Sequence, residues 1–235
     1  MREHHVTPVS LKLLSSMATR EVLAELAAQY QRESGCAVVL ESAGGVDVAR
    51  RVLAGEAADV VVLAATAIDE LVAAGRLVAA SRTDLVRSGI AVAVRSGAPL
   101  PDISSAEALK QAVAQAATIS YSTGPSGVYL VGLFRRWGIY EQIAPRIVQA
   151  PPGVPVGTLV ARGEVELGFQ QLSELINVAG IAVLGPMPAA VQSITTFTGA
   201  VGVASAQSMH ASGLLAFLSS PGSASAKVRQ GMQPA

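Results

Sequence analysis

Short apolar runs alternate with segments of helical periodicity from the start of this chain. The predicted strands lie at residues 9–14, 37–41 and 59–64, and the predicted helices at 20–32, 48–54 and 68–74. The strand at 59–64 is apolar on both faces, which is typical of a strand inside a parallel sheet. Because consecutive parallel strands need a crossover connection, this order predicts an open parallel sheet covered by helices.

A second series of strands and helices begins at residue 89. The predicted strands lie at 89–95, 118–122, 146–149, 167–170, 181–184 and 195–204, and the predicted helices at 104–116, 128–137, 156–162, 173–176 and 206–218. Ser104 and Glu107 have the spacing of a capping box at the start of one of these helices. The Ser/Ala-rich residues 219–226 resemble a low-complexity tract.

Two sheets fit this pattern better than one, because the second series starts afresh and its last strand can return to the first. We therefore expect an α/β protein with two lobes, mixed sheets, helices on both faces and a cleft between the lobes. Lobe 1 comprises residues 1–87 and 195–235, and lobe 2 comprises residues 88–194. The chain is expected to cross between them near residues 85–90 and 190–196.

The composition argues against several classes of protein. Seventeen basic residues balance 17 acidic residues, and 51% of the chain is hydrophobic, so neither a disordered tail nor a general nucleic-acid binder is expected. The longest apolar runs, at 60–65 and 128–134, are far shorter than the roughly 20 residues of a membrane span, so no membrane insertion is expected. Residues 1–8 lack the apolar region of a secretory signal. The expected location is the periplasm if a signal peptide has been removed, and the cytoplasm otherwise.

Neither a metal nor a nucleotide cofactor is expected. Gly44-Gly45 lacks both the Lys-Ser/Thr ending of a phosphate-binding loop and the spacing of a dinucleotide-binding loop. The histidines, His4, His5 and His210, form no metal-ligand spacing with Cys36 or with a pair of carboxylates. Cys36, the single cysteine, opens a Val-rich run, so a buried structural thiol is the favoured interpretation.

Four turns share one design, in which a strand runs into small or hydroxylated residues and then into a helix. They lie at residues 15–19, 44–47, 124–127 and 153–156. Free backbone N–H groups and the helix dipole at such a turn favour an anion without needing a cationic side chain. Ordinary connection chemistry also selects these residue types. The repetition, two turns in each proposed lobe, favours an anion site.

Two glutamines, Gln170 and Gln171, stand at the end of a buried strand. Because side chains alternate along a strand, at most one of them faces a ligand directly. In the alternative interpretation, both hydrogen-bond the segment that joins the lobes. The sequence leaves both interpretations open.

Several motifs resemble the substrate-binding proteins of bacterial ABC importers with the type II fold, and among them the molybdate-binding family. The similarity runs from about Leu11 to the last helix and includes Ser15-Ser16, residues 48–60, Leu167-Gly168 and residues 125–129. Residues 125–129 match the family's Pro-Ala-Gly-x-Tyr helix start, which implies that Ser126 contributes to an oxyanion site. The resemblance implies a type II periplasmic-binding-protein-like fold, hinge closure on the ligand and an ABC importer as the partner.

The sequence departs from the molybdate binders at three ligand positions. Met17 stands where a ligating serine is expected, Gly44-Gly45 replaces a second serine turn, and Gln171 replaces a tyrosine. A small anion of the polycarboxylate class is therefore favoured over molybdate. The expected ligand-binding residues are Ser15, Ser16, Met17, Gly44, Gly45, Val46, Ser122, Thr123, Ser126, Gly127, Val154 and Gln171.

Other motifs are similar to bacterial aconitate isomerases, which share this fold. They are residues 121–122, 126–130, 160–164 and 168–175. This resemblance implies a 1,3-proton shift along an allylic system, which needs a base close to the carbon acid. Glu41, Asp47 and Glu174 are candidate bases. Three functions therefore remain open: a binding component of an importer, an aconitate isomerase-like enzyme, and an oxyanion sensor retained in the cytoplasm.

Overall fold

The computed structural model describes residues 9–151 and 154–235. Its strands are β1 (Ser10–Ser16), β2 (Ala37–Ala43), β3 (Val60–Ala64), β4 (Thr83–Arg95), β5 (Ile119–Tyr121), β6 (Leu167–Gln171), β7 (Ile181–Pro186), β8 (Ile194–Val201) and β9 (Gln233–Pro234). Its helices are α1 (Arg20–Ser34), α2 (Gly45–Leu53), α3 (Ala65–Ala73), α4 (Ala106–Gln115), α5 (Pro125–Arg136), α6 (Tyr140–Ile143), α7 (Val156–Arg162), α8 (Leu172–Leu175), α9 (Ser208–Ser219) and α10 (Ala224–Arg229).

The chain forms two compact units. Unit 1 contains the residues up to Val86 together with Thr196–Ala235, and unit 2 contains Arg87–Thr195. The chain passes from unit 1 to unit 2 within β4 and returns within β8.

Unit 1 is a sheet with an apolar layer on each face. Strand β1 pairs in parallel with β2 and with β3, and β3 pairs antiparallel with β8. Side chains alternate along β1, so Leu11 and Leu13 pack into a core with α1 and α9, whereas Leu14 packs into a separate core with α2 and α3. Both faces of this sheet are therefore covered by helices.

Unit 2 has the same layering around a mixed sheet. Strand β5 pairs in parallel with β6, and β4 pairs antiparallel with β6 and with β7. On one face Phe169 of β6 packs against Phe134 of α5, with ring centroids 6.0 Å apart. Helix α7 buries Val156 and Val160 in a separate cluster. The α/β class with mixed sheets and helices on both faces is confirmed.

Several details differ from the sequence prediction. Residues 146–149 form only an isolated bridge between Ile119 and Ile147, because a 3-10 turn precedes it and Arg146 donates to two backbone carbonyls. The N-cap of α4 is Ser105, which accepts from the Ala108 N–H at 3.1 Å, and not Ser104. Strand β4 begins at Thr83 rather than at residue 89. The Ser/Ala-rich segment at 219–226 includes a 3-10 turn and the first residues of helix α10.

A search of residues 9–151 and 154–235 finds no helix with both the length and the apolar composition that a membrane span requires.

Candidate functional site

Three parallel strands of unit 1 end at the same edge of the sheet. Ser15 of β1 lies opposite Ser42 of β2 and Val62 of β3, so the helices that follow these strands begin side by side. Ligands of open α/β sheets bind at this edge. The start of α3 at Ala65 was missed in the sequence, because Ala64-Ala65 contains none of the Ser, Gly or Asp residues that mark such turns.

Two hydroxyls hold the turn after β1 in place. Ser15 is fully buried, and its Oγ lies 2.8 Å from Ser42 Oγ in a shared hydrogen bond. Thr19 is also fully buried, and its Oγ1 donates to the Ser16 carbonyl at 3.1 Å. Both hydroxyls therefore form hydrogen bonds within unit 1. Met17, which lies between them in the sequence, is half-buried.

Ser16 differs from its neighbours because its hydroxyl is buried without a hydrogen-bond partner among the described residues. It lies beside the start of α2, where a Cβ added to Gly45 would be 3.5 Å from Ser16 Cβ. Gly44 is the N-cap of α2 and brings no capping side chain, and Val46 is exposed. Unit 1 therefore places the Ser16 hydroxyl, which has no hydrogen-bond partner among the described residues, next to the start of α2, which has no capping side chain.

At the start of α5 in unit 2, the backbone at Gly127 lies very close to the backbone at Ser122. Ser122 Oγ and Ser126 Oγ lie 2.8 Å apart, and Ser126 is buried. A Cβ on Gly127 would lie 1.6 Å from the Ser122 carbonyl oxygen, so only glycine fits there. The N-cap Gly124 again brings no capping side chain, and Thr123 is exposed.

Two backbone N–H groups at the fourth turn form hydrogen bonds within unit 2. The Val154 N–H donates to the Pro151 carbonyl at 3.0 Å, and the Gly157 N–H of α7 donates to Gln170 Oε1 at 3.2 Å. Gly153, the predicted first residue of this turn, lies outside the described residues.

Gln171 joins the two segments in which the chain crosses between the units. In the orientation that satisfies its polar neighbours, its oxygen accepts from Thr195 Oγ1 at 2.9 Å and its nitrogen donates to the Ser88 carbonyl at 3.1 Å. Gln170 instead donates to Glu174 Oε1 at 2.8 Å. Each glutamine is therefore hydrogen-bonded within unit 2, and of these two glutamines it is Gln171 that binds the crossing segments.

The three candidate bases lie in different surroundings. Glu41 pairs with Arg51 at 2.5 Å and Asp47 with Arg50 at 2.7 Å, and about half of each carboxylate side chain is exposed, 48% and 51% respectively. Glu174 lies in the first turn of α8, and burial raises its pKa to about 7 although hydrogen bonds from Gln170 and from the Gln171 backbone favour the charged form. A pKa of about 7 suits a proton-transfer group at neutral pH.

No group of three or more His, Cys, Asp or Glu side chains within the described ranges could hold a metal ion. His4 and His5 lie outside those ranges. Cys36 is buried, and burial raises the pKa of its thiol, which fits a structural thiol rather than a reactive one.

Comparison with known proteins shows the family of this chain. The sequence profile of the bacterial extracellular solute-binding proteins matches residues 11–233. The chain belongs to this family. This solute-binding protein is also 38% identical over 231 residues to an aconitate isomerase of Pseudomonas sp., and the match covers 96% of this chain and 88% of that protein.

Solved structures have the same fold. The periplasmic molybdate-binding protein of Azotobacter vinelandii has a TM-score of 0.79 and 20% identity, and the match covers 94% of this chain and 98% of that one. The sulfate-binding protein SubI of Mycobacterium tuberculosis has a TM-score of 0.78 and 16% identity, covering 96% and 87%. The two resemblances and the periplasmic-binding-protein-like fold expected from the sequence are confirmed.

Proposed function

We propose that this solute-binding protein binds a small polycarboxylate through hydroxyl and backbone N–H groups. The observation that carries the proposal is the unpartnered, buried Ser16 hydroxyl beside the uncapped start of α2. A buried hydroxyl without a partner is costly, and an anion at this position would accept from it. The N–H groups of the first turn of α2 and the helix dipole favour the same anion.

Three features support a carboxylate over a tetrahedral oxyanion. Met17, Gly44-Gly45 and Gln171 stand where the resemblance to molybdate binders implies hydroxyl groups. The proposed site therefore supplies fewer hydroxyl groups than the resemblance implies for a tetrahedral oxyanion site. The 38% identical relative is named for aconitate, which supports a tricarboxylate.

The expectation that both units hold the same anion stays a prediction. It is tested by a double-mutant cycle with Ser16→Ala and Ser126→Ala, one hydroxyl from each unit. A shared anion should give a coupling of about 0.5 kcal/mol or more in the binding free energy. Additive losses would show that the two hydroxyls act independently.

The ligand class is tested by thermal-shift measurements with citrate, cis-aconitate, trans-aconitate, molybdate, tungstate and sulfate. The proposal expects the largest rise in the unfolding temperature with a tricarboxylate, because a ligand that binds only the folded state stabilises it. A rise with molybdate alone would refute the carboxylate assignment.

Ser16→Ala should weaken tricarboxylate binding while leaving the free protein at least as stable. The substitution removes a donor to the anion, worth about 1.5–3 kcal/mol when the acceptor is charged, and it removes an unsatisfied hydroxyl from the free protein. The matched control is Ser120→Ala, since the Ser120 hydroxyl is also buried without a partner among the described residues but lies within β5. Calorimetric titration should show a weaker affinity for the first variant only. Equal affinities would remove Ser16 from the site.

A second function, isomerisation of the bound ligand, is favoured by Glu174. Its pKa of about 7 suits a group that takes and returns a proton at neutral pH. In an allylic shift this carboxylate would remove a proton from the methylene carbon, the double bond would move by one position, and the carboxyl, whose proton exchanges with solvent between the two steps, would protonate the far carbon. Donors at the helix starts would stabilise the charge that develops on the substrate carboxylates.

Proton NMR of cis- or trans-aconitate in D₂O separates the two functions. An isomerase should interconvert the two acids and exchange their allylic protons with solvent. Binding without exchange would identify a binding component, for which we propose an ABC-type importer as the partner and the periplasm as the location. Loss of labelled tricarboxylate uptake on deletion of the gene would support that role, and unchanged uptake would contradict it.

A further inference from the structure

Lys227 is a buried lysine in a chain that has only three lysines, Lys12, Lys110 and Lys227. It lies on α10 in unit 1 with 2% of its surface exposed. It lines a small cavity together with Val22 and Leu26 of α1 and Val62 of β3. A lysine rarely occupies such apolar surroundings, because removing an ammonium group from water is costly.

No carboxylate offsets this charge within the described part of the chain. Glu25 of α1 pairs with Arg229 of α10, and Asp84 of β4 pairs with Arg82 and accepts from Thr198. The residues that α1, β3, β4 and α9 contribute to the cavity are all apolar. Burial alone lowers the pKa of Lys227. A purely structural side chain at this position would be more stable as an apolar residue.

The cavity lies behind the serine turn. Thr19 is its one polar lining residue besides Lys227, and Thr19 Oγ1 donates to the carbonyl of Ser16. Leu85 and Val86, also in the lining, are the last residues of the part of β4 that belongs to unit 1. The cavity of Lys227 therefore lies beneath the turn that carries Ser16, on the α1 face of the sheet, whereas the Ser16 side chain follows Leu14 to the α2 face.

We propose that Lys227 supplies the buried positive charge that balances an anion bound at Ser16 and the start of α2. This inference rests on the proposed function and deepens it, because a site with an internal cation selects ligands with two or more negative charges over monocarboxylates. The charge acts through low-dielectric protein rather than through water, so it acts over a longer distance than a surface lysine would.

Binding of the anion and protonation of Lys227 are then linked. Burial favours the neutral amine in the free protein, whereas a nearby anion favours the ammonium form. The anion therefore raises the pKa of Lys227, and binding takes up protons at pH values between the free and the bound pKa. By reciprocity, the affinity for the anion falls as the pH rises through this interval.

The test compares Lys227→Met with the matched variant Lys110→Met, which changes an incompletely buried lysine of α4 in unit 2. Citrate binding is measured by calorimetry in two buffers of different ionisation enthalpy, from about pH 7 to about pH 10. Lys227→Met should bind citrate about tenfold more weakly at pH 7, which corresponds to ~1.4 kcal/mol, and should lose the proton uptake. Its unfolding temperature without citrate should rise, and Lys110→Met should match the unaltered chain.

The outcomes separate this inference from the proposed function. If the unaltered chain binds none of citrate, cis-aconitate and trans-aconitate, the proposed function fails. If it binds citrate but Lys227→Met has the same affinity and the same proton uptake, the role of Lys227 is refuted. A lower unfolding temperature with unchanged affinity would likewise identify Lys227 as a structural residue. Carbon-13 NMR of the three labelled lysines reports the pKa of Lys227 directly, and a pKa that citrate leaves unchanged would also refute the linkage.

Discussion

Glu174→Gln is expected to lower the rate of aconitate isomerisation by about 10²–10⁴-fold while leaving tricarboxylate binding in place. Glutamine keeps the size of the side chain, and its oxygen can still accept from Gln170 Nε2, which lies 2.8 Å from Glu174 Oε1. What it loses is the capacity to take up a proton. The rate of deuterium incorporation into trans-aconitate, followed by NMR, measures the effect.

Glu164→Gln is the matched control, because Glu164 is an exposed carboxylate of the same unit. It should retain the full rate. The unaltered chain should become faster as the pH rises through about 7, since proton removal needs the ionised form of Glu174. An unchanged rate of isomerisation in Glu174→Gln would exclude Glu174 as the base. Glu41 and Asp47 would then be the remaining candidate bases.

The same substitution should change how stability depends on pH. Folding raises the pKa of Glu174 from its ordinary value of 4.5 to about 7, so the folded state holds this proton more tightly than the unfolded state does. The free energy of unfolding therefore falls as the pH rises from about 4.5 to about 7. Glutamine has no proton to lose, so Glu174→Gln should be about 1–3 kcal/mol more stable than the unaltered chain near pH 8 and equally stable near pH 4. Urea unfolding at both pH values shows whether the variant is folded when its activity is measured.

Gly127→Ala should lower the free energy of unfolding by about 3 kcal/mol or more, because the added methyl cannot be accommodated. Its Cβ would lie 1.6 Å from the Ser122 carbonyl oxygen and 3.2 Å from the ring of Tyr121. Backbone must move to relieve the first contact, and this movement would also separate Ser122 from Ser126. Urea unfolding measures the loss, and the affinity for citrate should fall with it.

Gly132→Ala tests whether the effect comes from the contact or from the residue type. Gly132 lies in the interior of α5, and a Cβ there would meet only the end of Arg136 at 3.5 Å. Alanine favours helix over glycine, so this variant should gain up to about 1 kcal/mol. A Gly127→Ala variant as stable as Gly132→Ala would contradict the close approach at the start of α5.

Much of the fold could be predicted because its signals are local. The 3.6-residue period between residues 20 and 32 and the all-apolar strand ending at Ala64 are properties of neighbouring residues, and both elements are present. Helix α7 matches its predicted bounds, since Pro155 precedes it and Gly163 ends it in the left-handed conformation. The predicted strand at 146–149 was wrong because pairing depends on a partner elsewhere in the chain.

The turns that could carry an anion were also visible in the sequence, because small and hydroxylated residues mark the start of a helix. The start of α3 was not visible, since Ala64-Ala65 has the composition of a helix interior. It belongs to the same edge of the sheet only because β3 pairs with β1. Strand pairing is a non-local contact, and no local residue pattern records it.

The chemistry of individual side chains depends on their surroundings, which the order of residues does not specify. Glu41, Asp47 and Glu174 are all carboxylates in the sequence, yet Glu41 and Asp47 pair with arginines at the surface, whereas burial raises the pKa of Glu174. Ser15 and Ser16 are adjacent, and the described residues provide a hydrogen-bond partner for the first hydroxyl and none for the second. Periodicity and turn residues thus determine which elements form, whereas desolvation and hydrogen bonding, set by residues far apart in the chain, decide which of their side chains are reactive.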